Sequence, residues 1–204
     1  AESCPVRTYA VSGDMLRRRF GMEWPLVRRP YSHKGTYGHV LVIAGSAAYS
    51  GAGLLCASAA MRAGAGLVTW ALPQTVRDPL MGRRPELMLR GLPDDGCGGW
   101  LAASADELIA LSHDKQAVAI GPGLSRFAGD QAWLRKLWQG IACPIVLDAD
   151  ALNILADAGD FGSWPARQAP VIMTPHPGEM ARLTGLTVRE VEADRIEAAR
   201  RCAR

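Results

Sequence analysis

Four short apolar runs, each ending abruptly in glycine, aspartate or a proline-bound turn, limit the folds open to this chain more than any other feature. Val40-Leu-Val-Ile-Ala44 leads into Gly45-Ser46, and Ala117-Val-Ala-Ile120 into Gly121-Pro-Gly123. Pro144-Ile-Val-Leu147 leads into Asp148-Ala-Asp150-Ala-Leu-Asn153, and Pro170-Val-Ile-Met173 into Thr174-Pro-His-Pro-Gly-Glu179. Runs rich in Val and Ile without polar alternation read as strands covered on both faces, and the helical stretches between them supply the crossovers of a parallel sheet. The expected class is α/β with a mostly parallel central sheet. Ligands of such sheets gather outside the carboxyl ends of the strands, so the polar residues of the four loops are expected to converge on one cleft.

Composition narrows the function classes without choosing among them. A chain of 204 residues, 49% hydrophobic and 21% charged, suits one globular domain and excludes a disordered or fibrous one. The 23 Lys and Arg residues barely exceed the 20 Asp and Glu, and they form no stripe with interleaved aromatics, so no nucleic-acid partner is expected. The five cysteines (Cys4, Cys56, Cys97, Cys143, Cys202) are widely spaced with no C-x-x-C pair, which reads as reduced thiols and no metal site. No signal-peptide core and no run of about 20 apolar residues is found, so the expected location is cytoplasmic, without a membrane partner.

Pro73 to Gly99, with the turn-rich Pro93-Asp-Asp-Gly-Cys-Gly-Gly99, is expected to be a surface excursion. Ser104-Ala-Asp-Glu107 and Thr187-Val-Arg-Glu190 match the capping box that opens a helix. From Val188 nothing stops the helix before Arg204, and the chain starts at Ala1, so a piece of a larger product is expected.

The glycines point to the binding loops. Gly45-Ser46, Gly51-Ala-Gly53 and Gly64-Ala-Gly66 bracket a strand, a loop and a small-residue helix before Leu67-Val-Thr-Trp-Ala-Leu72, which together form a β-α-β unit. The spacing gives neither G-x-G-x-x-G nor a P-loop. Gly53, Ala57, Ala60 and Gly64 are expected to let the helix lie close to the sheet. Gly51 and Ala52 sit at the helix start, where free amides and the helix dipole attract polar ligand groups.

At the last turn, Pro175 and Pro177 fix the backbone around His176. That ring is either a ligand contact or a structural histidine. Because the prolines hold the turn, losing the ring is expected to change stability by no more than about 0.5 kcal/mol. Asp150 is either a helix N-cap or a ligand contact. Asp148 ends its strand, where it can orient a ligand hydroxyl or a hydrated Mg²⁺. Glu179 favours a helix dipole.

Taken in order, Lys34-Gly-Thr-Tyr-Gly38, Leu41-Val-Ile-Ala-Gly-Ser46, Gly51-Ala52, Arg62-Ala-Gly-Ala-Gly-Leu-Val68, Ile120-Gly-Pro-Gly123, Leu147-Asp-Ala-Asp-Ala-Leu-Asn153 and Thr174-Pro-His-Pro-Gly-Glu-Met180 resemble the ADP- or ATP-dependent NAD(P)H-hydrate dehydratases, a branch of the ribokinase-like superfamily. The likeness runs from residue 31 to about 190, which divides the chain into a leading segment, 1–30, and a domain portion, 31–204.

The resemblance implies a three-layer ribokinase-like fold and nucleotide-dependent dehydration of the S-epimer of hydrated NADH or NADPH. The ring hydroxyl would be phosphorylated and phosphate then eliminated, with ADP or ATP as phosphoryl donor and Mg²⁺ present. It places hydrated-cofactor contacts on Ala52, Gly123 and His176, with Gly51, Gly121, Asp148, Asp150 and Asn153 lining the same edge. A homo-oligomer and a fused or separate epimerase are further implications. The family's Lys-Gly strand and Gly-x-Gly-Asp turn, which carries the aspartate base, do not occur up to Arg204. The later strands and the base are therefore expected beyond it, and this chain alone is expected to be inactive. The competing readings are another ribokinase-like kinase of a small molecule, or a non-catalytic nucleotide-binding module ending at Arg204.

Overall fold

The computed structural model describes residues 12–22 and 28–203; Cys4 and most of the leading segment lie outside them. Six strands, β1 (His39–Ile43), β2 (Leu67–Pro73), β3 (Met88–Leu92), β4 (Ala117–Ile120), β5 (Ile145–Leu147) and β6 (Val171–Met173), form one sheet. Their order is β3-β2-β1-β4-β5-β6, and every pairing is parallel. The chain winds outward from β1 to β3, then returns to the opposite side of β1 at β4. The direction of winding therefore reverses between β1 and β4, the position where a doubly wound sheet opens a crevice.

Nine helices are described: α1 (Gly13–Phe20), α2 (Ser50–Arg62), α3 (Gln74–Arg77), α4 (Ala105–Ser112), α5 (Asp130–Gly140), α6 (Asp150–Asp157), α7 (Pro177–Thr184), α8 (Val188–Ala193) and α9 (Arg195–Cys202). Alternate residues of β1 feed two cores. Leu41 and Ile43 pack with Val118, Ile120 and Leu147 against Leu108, Leu134, Leu137 and Leu152 of α4, α5 and α6. Val42 and Ala44 pack with Val68, Trp70 and Leu72 around Ala57 of α2. Gly53 is what brings α2 this near: a Cβ there would fall 2.5 Å from Trp70 Cζ2. Among the described residues no helix is long and apolar enough to cross a membrane.

Three local expectations are corrected. The excursion after Pro73 contains β3, in register with β2 from Thr69↔Met88 to Pro73↔Leu92. Met88-Leu-Arg-Gly-Leu92 has no β-branched residue, so only pairing makes it a strand. The helix begun at Val188 breaks at Asp194 (φ −149°, ψ 83°), whose carboxylate accepts the Glu197 amide at 2.9 Å and starts α9. A short polar side chain that bonds nearby amides competes with the helix it sits in.

Ser104 forms no capping box, because the chain is already turning at Ala102. Its hydroxyl donates to Leu101 O and accepts from Trp133 Nε1 at 2.9 Å. The box at Thr187 and Glu190 is present, with the amide of each meeting the side chain of the other.

Candidate functional site at the sheet's carboxyl edge

The loops after β1 and β4 are stitched together by backbone: Gly45 N donates to Pro122 O (2.8 Å) and Gly121 N to Ile43 O (3.2 Å). Two buried indoles fix the end of β1, Trp70 Nε1 donating to Ala44 O (2.8 Å) and Trp100 Nε1 to Gly45 O (2.7 Å). The Gly121-Pro-Gly123 turn is wedged between α2 and β5. A Cβ on Gly123 (φ +69°) would lie 2.7 Å from Tyr49 Cβ, 2.8 Å from Tyr49 O and 3.0 Å from Ala52 Cβ. A Cβ on Gly121 (φ +133°) would lie 1.7 Å from Asp148 O. Only glycine fits either place, on conformation and on space alike.

This packing brings Ala52, Gly121, Gly123 and Asp148 together. The start of α2 faces them without a side-chain cap, its N-cap being Tyr49, and Gly51 is exposed with open space where a Cβ would point. The Ala52 amide donates to Tyr49 O at 3.1 Å, so the donors this first turn leaves open are those before Ala52, at the positive end of the helix dipole.

Only two non-glycine residues among those described have positive φ, Ser125 (64°) and Ala149 (50°), and both belong to these loops. The Ser125 amide donates to Asp150 Oδ2 at 2.8 Å, and its hydroxyl meets that of the buried Ser46 at 3.0 Å. Asp150 is thus the first residue of α6 and not its N-cap, a position held by Ala149. Asn153 Oδ1 accepts from the Arg182 guanidinium, tying α6 to α7. No hydrogen bond to the Asp148 carboxylate is found among the described residues. Burial first, and the Asp148 carboxylate second, push the Cys56 thiol of α2 up to about 11, so it is a neutral thiol at pH 7. No group of three His, Cys, Asp or Glu residues suited to a metal ion gathers among the described residues.

His176 lies three strand spacings from β1, about 14 Å along the edge. It is the N-cap of α7: its Nδ1 accepts from the amides of Gly178 (3.0 Å) and Glu179 (3.4 Å), while Glu179 Oε2 accepts the His176 amide at 2.9 Å. Glu179 is buried and its Oε1 lies 3.2 Å from His176 Nε2, whereas the imidazole is 67% exposed. The ring therefore holds its own helix, and the expectation that the prolines alone support this turn is corrected. Histidine is an uncommon cap, so the S/T-x-x-E template does not find it.

Tyr49, Trp100 and Ser125 carry no signal in the sequence analysis, and Ser46 enters it only as the residue after Gly45. A left-handed serine has no sequence signature, and the Trp100 bond spans 55 positions.

A family model described as NAD(P)H-hydrate dehydratase matches residues 40–204. The chain is 41% identical over 182 residues to a bifunctional NAD(P)H-hydrate repair enzyme of Moorella thermoacetica, which takes in 87% of this chain and 33% of that protein. It superposes on the ADP/ATP-dependent NAD(P)H-hydrate dehydratase of Bacillus subtilis, co-crystallised with ATP and Mg²⁺, with a TM-score of 0.65 at 33% identity, covering 85% of this chain and 56% of that one. A ribokinase-like superfamily protein of Enterococcus faecalis superposes with a TM-score of 0.71 at 25% identity, covering 97% and 65%. The chain spans about a third of the length of the curated relatives it matches.

Proposed function

The chain belongs to the NAD(P)H-hydrate dehydratase family, and from that premise we propose that it forms the substrate-side wall of an ADP- or ATP-dependent dehydratase restoring NADH and NADPH from the S-epimer of their hydrates. The observation that carries this is the glycine turn after β4 seated against the uncapped start of α2, with no side chain beyond Cβ on Ala52 to block the crevice. The hydrated ring and its phosphates meet amide donors and small residues there, and most of the catalysis lies in positioning and charge neutralisation.

In this reading Ala52, Gly123 and His176 touch the hydrated cofactor, and Gly51, Gly121 and Asp148 line the same edge. Asp150 and Asn153 shape that edge through Ser125 and Arg182. When bound, the nucleotide would supply the phosphoryl group and Mg²⁺ would neutralise the charge on its phosphates. Asp148 suits a hydrated Mg²⁺, which keeps several waters and needs few carboxylates.

Residues 31–204 are the first portion of the dehydratase domain and 1–30 a leading segment. The protein works in the cytoplasm as a homo-oligomer, with an epimerase activity fused or separate to supply the S-epimer. The test is recovery of reduced-nicotinamide absorbance from hydrated NADH by the full-length protein with ADP or ATP. No nucleotide-dependent recovery would overturn the reading, as would turnover of the hydrate by the 204-residue chain alone, from which the catalytic base is expected to be absent.

A further inference from the structure

We propose that Asp150 is a positioning residue: through the Ser125 amide it holds the Gly121-Pro-Gly123 turn against the start of α2, and so sets how tightly hydrated cofactor binds without touching it. The inference rests on the reading above and adds a determinant of affinity to it.

Three loops meet at Ser125. Its hydroxyl reaches Ser46 after β1, its amide reaches Asp150 after β5, and it follows β4 itself. A serine at φ +64° sits in a region that costs an ordinary L-residue stability, so something must hold it there. The Asp150 carboxylate supplies a charge-assisted bond at 2.8 Å.

On the far side, Arg126 is independently tied to Asp130 and Asp157. Leu124 is buried and its amide donates back to Gly121 O at 3.1 Å. Ser125 joins these two tethered flanks, so its conformation bears on how firmly the turn holds Gly123 against α2. If the Asp150 bond is lost, only the Ser46 hydroxyl bond opposes Ser125 leaving the left-handed region, and Gly123 is then held less closely against Tyr49 and Ala52.

The test uses the full-length protein with hydrated NADH as variable substrate. Asp150→Ala is expected to raise its KM about tenfold, with kcat and the KM for nucleotide within about twofold of wild type. Asp150→Asn keeps an acceptor oxygen and is expected to keep most of the affinity. Adding Ser125→Gly to Asp150→Ala is expected to bring KM back to within about threefold of wild type, because glycine adopts positive φ without help. An unchanged KM in Asp150→Ala would overturn the proposal, as would a fall in Tm without a KM effect, or failure of Ser125→Gly to rescue.

Were the wild type not to turn over hydrated NADH at all, the functional reading would fail separately. Hydrogen exchange then decides the positioning role. Faster exchange at the amides of Gly121, Gly123 and Leu124 in Asp150→Ala supports it, and unchanged exchange there overturns it.

Discussion

The mouth between β1 and β4 and the corner where β6 enters α7 lie on the same sheet edge but treat their helix starts in opposite ways. At the mouth, α2 begins uncapped and the glycines that face it carry no side chain. At the corner, α7, α8 and α9 are each capped by a side chain of their own: His176, Thr187 and Asp194. Amides used for capping stabilise the fold, while amides left open are available to a ligand. In the proposed reading the mouth binds and the corner holds itself in place, with the exposed face of His176 as its proposed contribution to the site.

The sharpest way to break that contrast is at Gly123. Gly123→Ala in the full-length protein is expected to lower kcat/KM for hydrated NADH at least about a hundredfold, because the new Cβ meets Tyr49 backbone at 2.8 Å in a left-handed conformation. An enzyme that tolerates it with unchanged kcat/KM would mean that the ligand does not use this mouth.

His176 tests the corner, and it separates cap from contact. His176→Ala is expected to cost about 1 kcal/mol of stability through the lost cap, and about ten- to a hundredfold in kcat/KM if the exposed ring also bonds the ligand. His176→Asn supplies a good N-cap, so denaturant melts should return close to wild type while kcat/KM stays low. Recovery of both quantities together would make the histidine purely structural.

Cys56 reports on the mouth through pH. Its folded pKa is raised above the thiol's ordinary value, so its contribution to stability is fully present below pH 9 and is lost as pH climbs through about 11. The loss is at most about 3 kcal/mol and is reduced by partial exposure. Chemical denaturation between pH 8 and 11 should show a slope that Cys56→Ser flattens. Equal slopes in the two proteins would mean that neither burial nor the Asp148 carboxylate raises this thiol.

The smallest effect is expected at the corner's outer rim. Ile172 on the edge strand β6 is 57% exposed, and an apolar edge strand invites pairing between copies. Ile172→Lys should change stability by no more than about 0.5 kcal/mol, while light scattering of the 204-residue chain shows less self-association. Unchanged scattering would shift attention to the other exposed apolar side chains, such as Leu55.

The contrast also marks how far the residues could be read before the fold was known. The runs that became β1, β2, β4, β5 and β6 lie where their apolar character puts them, because a strand buried on both faces leaves its mark within a few residues. The Gly-Pro-Gly and Pro-His-Pro turns declared themselves in the same way, and with them the family. The sequence alone determined these because each depends on backbone preferences of adjacent residues. β3 was hidden, since an Arg and a Gly inside five residues look like a loop until β2 pairs with them.

What only the tertiary structure decided is where each polar side chain goes. Asp150 turned to Ser125, 25 positions away, and Asn153 to Arg182, 29 away. His176 and Asp194 spent their side chains on neighbouring amides instead of following the patterns their surroundings suggested. A carboxylate or an imidazole takes whichever donors the packed fold sets within hydrogen-bonding reach, and such encounters leave no periodic trace in the chain.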